Sequence, residues 1–345
     1  MKRCLYLVVA LVIMLSLLVT GCAPKPPAAE EVTTLRVACI YPMGHPLGIG
    51  FHFFMSKVEA RTDGRVVFDY YPASTLIKGP DILDGVIAGS AHIGNMVYAG
   101  KKAPWIFFTQ LPGVYPDEKM VLASEAMYKV SIGGMPEEEW GKLGVKPLYC
   151  MTTCNYQIYT IKKAVKSVAD FQGVKIRAAG AMVPKAIEGI GGVPVSMPIG
   201  EAYEAISKGV VDGVTLAIPS LKPYAFYELI KYANIGFDLG GYPVYFVINL
   251  NTWNALPSDI KEIMEKAGAE ASVEGAEYYW KVAQTDVDSW KKGGMEVYTL
   301  SSGDKAAIKA ELAPMGDAWI ADVAAKGFAV KKLVEDWKAA MAELR

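Results

Sequence analysis

Arg177 is the residue whose type and position could do chemistry. It ends 173–178 (GVKIRA), a run that reads as a strand, and 178–180 (AAG) leads from it into a helix. In open α/β sheets ligands gather at the carboxyl ends of strands, and a helix N-terminus there adds positive potential. An arginine at such a point suits a carboxylate. Its planar fork makes two parallel hydrogen bonds, and it stays charged when taken out of water. Arg177 also alternates with Lys175 on one strand face, so a solvated surface arginine stays open as the alternative. Gln157, twenty residues earlier, offers a neutral donor and acceptor, with a solvated strand glutamine as its alternative.

Other chemistries find little support. His45, His52 and His92 stand at unrelated spacings from Cys39, Cys150 and Cys154, so there is no zinc signature and no metal is expected. Cys150 and Cys154 fall in a stretch that reads as strand, where four residues span roughly 13 Å, too far for a disulfide. No G-x-S-x-G, H-E-x-x-H or P-loop occurs, and 189–192 (GIGG) ends a helix instead of opening one, so no dinucleotide cofactor is expected. An exported enzyme would have to work through carboxylates or lysines. With 35 basic and 36 acidic residues, bulk charge gives no sign of nucleic-acid binding.

The elements that must position Arg177 belong to a repeated pattern. Segment 35–40 (LRVACI) reads as a strand, 46–60 as a helix, 65–71 as a strand, 81–88 as a helix stopped by Gly89, and 92–97 as a strand. Such βαβαβ order means an α/β domain with a largely parallel sheet. The order recurs with strands 173–178, 193–197 and 213–217 and helices 182–190 and 201–208. Asp81, Asp84 and Gly89 share their spacing with Glu201, Glu204 and Gly209. Acidic residues in a first turn and glycine after the last suit the helix dipole and the cap. Two similar domains follow. After a strand at 244–249, residues 259–292 run without proline, with Gly268 and Gly275 as the internal breakers. A helix of that length is roughly 50 Å long and should lie across both domains. A helix from 303 to the break at 325–327 and a short last helix close the chain.

The N-terminus addresses the chain. Lys2 and Arg3 precede an apolar run, 5–19, too short to span a bilayer and suited to a secretory signal. Segment 18–22 (LVTGC) resembles a bacterial lipobox, which implies cleavage before Cys22 and lipidation of its sulfur. Residues 23–32, rich in Pro, Ala and Glu, read as a tether. Beyond the signal, charges or prolines interrupt every apolar run, so a soluble body, exported and lipid-anchored, is expected.

Several strings carry a family resemblance: 45–46 (HP), 62–65 (TDGR), 170–177 (DFQGVKIR), 191–195 (GGVPV), 201–203 (EAY), 209–213 (GVVDG) and 253–257 (WNALP). In that order they resemble the solute-binding subunits of TRAP transporters, DctP type. The resemblance implies a two-domain periplasmic-binding-protein-like α/β fold with a ligand cleft, chain crossings near 150 and 243, and closure on binding. The implied division is a signal peptide 1–21, a tether 22–33, domain I from 34–153 plus 243–282, and domain II from 154–242 plus 283–345. It implies no cofactor, and as partners a small carboxylate and the small and large membrane subunits of an ion-gradient-driven permease. Through the K-I-R string it implies that Arg177 binds the substrate carboxylate. Members that take larger acids often carry a second arginine at the position of Gln157, so glutamine favours a small or apolar monocarboxylate. Further implied contacts are Ile199, Leu216 and Tyr242, with Thr215 adjacent, a more apolar set than the family's usual one. Tyr41 and Tyr98 end strands of the first domain and could close over a ligand, or be ordinary half-buried strand aromatics. The same binding fold could instead serve an ABC importer or a sensor.

Overall fold

Short apolar runs alternating with glycine-stopped helices build sheets from βαβ units, and the computed structural model contains two. It describes residues 32–135, 137–180 and 182–344; the expected signal peptide 1–21 and the lipidation site Cys22 lie outside the described residues. Strands β1 (Thr33–Ala38), β2 (Val66–Tyr71), β3 (Ile93–Asn95), β4 (Val145–Asn155) and β10 (Gly241–Asn249) form one sheet. Its order is β2-β1-β3-β10-β4. The second sheet holds β5 (Gln157–Thr160), β6 (Lys175–Ala178), β7 (Val193–Ser196), β8 (Gly213–Leu216), β9 (Tyr232–Ile235) and β11 (Glu296–Thr299). Its order is β11-β9-β5-β8-β6-β7. The fold is α/β, with two mixed sheets flanked by helices. Among the described residues no helix is long and apolar enough to cross a membrane.

The sheets are mixed where largely parallel ones were expected. The βαβ units do pair in parallel, β1 with β3 and β6 with both β7 and β8. β10, however, is antiparallel to β3 and β4, and β5 is antiparallel to β8 and β9. The cause is the route between the sheets. β4 passes into β5 through Tyr156, β9 returns to β10 through 236–240, and the two connections run side by side in opposite directions. Tyr156 N donates to Gly240 O at 3.0 Å and Leu239 N to Tyr156 O at 3.3 Å. The crossings therefore lie at 156 and 236–240, displaced from the expected 150 and 243.

The long helix runs over Ser258–Lys292, 35 residues, straight through Gly268 and Gly275. These glycines are seats, not breakers. A Cβ at Gly268 would lie 2.0 Å from Leu148 O in β4, and one at Gly275 would lie 3.1 Å from the Cα of Gly50 in the helix Pro46–Arg61. Only glycine permits those approaches, which outweigh its helix propensity. Toward its C-terminal end the same helix reaches the second sheet, where Trp290 meets Tyr159 edge-on, ring centroids 5.8 Å apart.

Segment 283–345, expected as one piece of the second domain, divides its contacts. The helix Ser302–Ala325 packs on Val183–Gly189 beside the second sheet. The last helix, Val330–Glu343, packs on Met120–Ser131 beside the first, and Trp337 Nε1 donates to Ala123 O at 3.0 Å. β9 and β11 carried no signal of their own. Each is four residues long and exists by pairing with the other, β9 also with β5.

Candidate functional site

Five strand ends converge on one cavity. From the first sheet the turns after β1 and β3 bring Tyr41 and Tyr98, and from the second the ends of β6, β7 and β8 bring Arg177, Ile199 and Leu216. The crossings close the back, with Tyr156 leaving β4 and Tyr242 entering β10. The space between these walls, open solvent at its mouth included, is ≈ 470 Å³.

Arg177 shares its strand face with Lys175, yet Lys175 is exposed and Arg177 is 2% exposed. What differs is that Arg177 stands at the strand end, roofed by the other crossing and by the first sheet's turns. Its Nε and Nη2 donate to the Met197 carbonyl at 3.1 and 2.9 Å. No carboxylate pairs with it among the described residues. Burial pulls its pKa below the ordinary value, while Tyr98, Tyr156, Tyr224 and Tyr242 push it back up. An arginine does not shed its proton under such a shift. The cavity thus holds a desolvated cation that protein groups leave without a counter-charge, a costly arrangement that an incoming anion relieves. Among the described residues Arg177 is also the only charged one lining the cavity.

Tyrosines frame this cation and tie the walls together. Tyr156 stacks on Tyr242, centroids 5.8 Å apart at 19°. The Tyr242 hydroxyl donates to Val97 O, and the Tyr98 hydroxyl accepts from Ile199 N at 3.3 Å. The Tyr98 contact joins elements of the two sheets, and the Tyr242 contact ties β10 to the turn after β3 within the first. Ile40, Leu47, Ile199 and Leu216 supply the apolar lining.

His45 is the other nitrogen-bearing side chain on the cavity. It caps the helix Pro46–Arg61, its Nδ1 accepting from Leu47 N at 3.1 Å. Burial lowers its pKa to about 3. The ring is therefore neutral, with Nδ1 as acceptor and the proton on Nε2. It sits between Tyr41 and Tyr224, at centroid distances of 4.8 and 5.3 Å.

The structure brings Arg177, Tyr242, Leu216, Ile199, Tyr41 and Tyr98 to one cavity and leaves Gln157 and Thr215 off it. Gln157 is fully buried; its Oε1 accepts from the backbone N–H of Gly236 and Phe237 at 2.8 and 3.1 Å. Its amide fixes the return crossing, and Tyr156 faces the cavity in its stead, because one residue along an extended chain turns the side chain to the opposite face. Thr215 is buried one position before Leu216 and faces away for the same reason. His45, Tyr156 and Tyr224 were not singled out as contacts. A histidine directly before a helix-opening proline was a visible signal; Tyr224, in a loop without periodicity, gave none.

Comparison with known proteins gives one consistent result. The sequence model of the bacterial extracellular solute-binding proteins, family 7 (DctP), matches residues 37–322. The C4-dicarboxylate-binding periplasmic protein DctP of Rhodobacter capsulatus is 26% identical over 318 residues, 89% of this chain and 92% of that protein. A TRAP periplasmic solute-binding protein from Desulfovibrio salexigens, solved as an open complex, is 28% identical with a TM-score of 0.76 over 90% of this chain and 96% of that one. A TRAP solute-binding protein from Rhodoferax ferrireducens, solved with copurified benzoate, has a TM-score of 0.83 at 22% identity, covering 91% of this chain and 98% of that one.

Proposed function

The chain belongs to the bacterial extracellular solute-binding proteins of family 7, and we propose that it captures a small monocarboxylate with an apolar or aromatic tail and delivers it to a TRAP permease. The single observation that carries the ligand class is Arg177: a guanidinium 2% exposed, half its fork spent on Met197 O, with no carboxylate of the described residues beside it. An acid entering the cavity supplies the missing charge and accepts from the free side of the fork. One cation on the lining supports a monocarboxylate over a dicarboxylate, and Ile40, Leu47, Ile199 and Leu216 support an apolar tail. The benzoate held by the Rhodoferax protein fits that class.

Delivery needs an opening motion. The crossings at 156 and 236–240 are the points about which the sheets would part, breaking the Tyr98 contact to Ile199. A division into domain I (34–153 plus 243–282) and domain II (154–242 plus 283–345) follows this motion, with the last helix joining the first domain's side. Cys22 carries a lipid in this reading, and the partners are the small and large membrane subunits of an ion-gradient-driven permease. The role in this reading is binding without catalysis: among the described residues the one charged group on the cavity is Arg177, and His45 has spent Nδ1 on its helix.

A thermal-shift screen of the purified protein against aliphatic, keto and aromatic acids tests the ligand class. We expect a monocarboxylate at saturating concentration to raise the Tm by several degrees and Arg177→Ala to abolish the shift. Shifts that persist in Arg177→Ala, or none with any acid, would overturn the carboxylate reading.

A further inference from the structure

We infer that His45 is a second, neutral hydrogen-bond donor to the bound acid, selecting carboxylates that carry a further oxygen acceptor, a keto or hydroxyl oxygen. The inference rests on the carboxylate reading and adds what lies at the other end of the ligand.

Three observations converge on the Nε2 atom. First, the tautomer is fixed: Nδ1 accepts from Leu47 N at 3.1 Å, which only an unprotonated Nδ1 can do, so Nε2 carries the ring's proton. Second, that N–H has no acceptor. His45 is 1% exposed, and its Nε2 is buried without a hydrogen-bond partner among the described residues. A buried donor left unmade is costly, and native chains rarely keep one without a use. Third, its residue lines the cavity. The other buried side-chain atoms without partners sit on Asn95, Gln110, Asn155, Tyr159, Thr215 and Tyr245, none of which lines the cavity that Arg177 shares with His45. His92, which lies off the cavity, instead has its Nδ1 engaged by Arg36 N at 2.8 Å.

Geometry holds the ring in place. The helix cap holds one edge of the ring, and Tyr41 and Tyr224 hold it from the sides. A ring pinned on three sides cannot swing to find another acceptor, so the ligand must bring one. A neutral donor discriminates by a different rule from Arg177: it attracts no net charge, and it penalises a ligand whose facing atom cannot accept. An acid with only a hydrocarbon tail would satisfy Arg177 and leave the imidazole N–H unpaired.

The test uses isothermal titration of the full chain with two matched pairs, butanoate against 2-oxobutanoate and benzoate against 3-hydroxybenzoate. The variant is His45→Asn, because asparagine caps helices well and can still accept from Leu47 N. We expect the wild type to prefer the oxygenated member of at least one pair by about tenfold, the scale of one satisfied buried donor. We expect His45→Asn to shrink that preference to within about twofold, read as the ratio of the two affinities within the variant. Imidazole ¹⁵N-edited spectra of the wild type give a readout that needs no variant: the Nε2–H resonance should move on adding the oxygenated acid and stay in place with the plain one. Equal losses for both members, or an unmoved Nε2–H resonance, would overturn the inference and leave the carboxylate reading standing. No binding of any of the four acids would overturn both.

Discussion

Arg61 ends the helix Pro46–Arg61 with Glu270 2.5 Å away on the long helix, both side chains about one-third exposed. Arg177 is 2% exposed and no carboxylate of the described chain touches it. The first cation sits where two helices must stay docked, in a row with Lys57–Glu274 at 2.8 Å and Arg65–Asp259 at 2.7 Å. The second lines the cavity proposed to take the ligand. The difference teaches how to tell a binding charge from a structural one. Where contact is permanent the chain supplies both partners and leaves them in reach of water. Where contact is temporary it supplies one partner and removes it from water, so that the ligand completes the pair.

The largest effect should come from removing the unpaired cation. Arg177→Met is expected to weaken the best acid found by screening by about 2–5 kcal/mol, the range for truncating one side of a buried charge pair. Its second effect has the opposite sign. Without ligand, the variant should melt no lower than the wild type, because an uncompensated buried charge is replaced by an apolar side chain of similar length. Titration calorimetry and ligand-free melting measure the two. A variant that binds normally but melts far lower would make Arg177 structural and collapse the comparison.

The docked side of the comparison rests on shape more than on charge. Gly268→Ala would drive a Cβ to 2.0 Å from Leu148 O, an atom of β4 that cannot rotate away. Overpacking of this kind typically costs about 1–3 kcal/mol, and a backbone obstacle puts Gly268→Ala at the upper end. Gly200→Ala, with nothing within 4 Å of its Cβ, is the control. Denaturant melts of both variants should separate them clearly; equal midpoints would mean that the long helix is not seated as closely as described.

Much of this was legible in the sequence because the signals were local. The βαβ alternation, the proline-free run of the long helix and the strand-end position of Arg177 each follow from a few neighbouring residues. What failed to show depended on distant partners. β9 and β11 exist through each other and β5, and Gly268 reads as a breaker until Leu148 is known to lie against it. Gln157 is the instructive miss. It was singled out through the family resemblance, and in this structure its amide holds the return crossing while Tyr156, one residue earlier, lines the cavity.

Asp117 is the mirror image of Arg177, a buried acid with no cation beside it, and it sits at the crossing. Burial raises its pKa from 3.8 to about 6, the Asn155 backbone N–H pulls it down, and Asp238 pushes it up. Between those values the folded chain holds a proton that the unfolded chain has released. Stability therefore falls as pH rises through that window, and the penalty is complete above about 6. Asp117→Asn cannot ionise, and its Oδ1 can still accept from Asn155 N and Nδ2, now at 2.6 and 2.9 Å. We expect it to raise stability at pH 7 by about 3 kcal/mol and to flatten the pH profile between 4 and 6. A profile with the wild-type slope would place that titration elsewhere. The contrast with Arg177 is chemical: an acid can escape burial by taking a proton, whereas a guanidinium must wait for an anion.

The smallest effect should come from the pair that looks strongest on distance alone. Arg61 and Glu270 lie 2.5 Å apart, yet both reach solvent, where water and salt screen the attraction and two long side chains lose freedom to meet. In a double-mutant cycle with Arg61→Met and Glu270→Gln, which keep the side-chain stems and their packing, the coupling should be below about 1 kcal/mol and should shrink further in 1 M salt. Coupling of 2 kcal/mol or more would blur the comparison, because the exposed pair would then contribute as much as the desolvated one. A small value sharpens it. Proximity of opposite charges is then a poor guide to what an arginine does in this chain. Burial without a partner is the better one, and Arg177 is the arginine that has it.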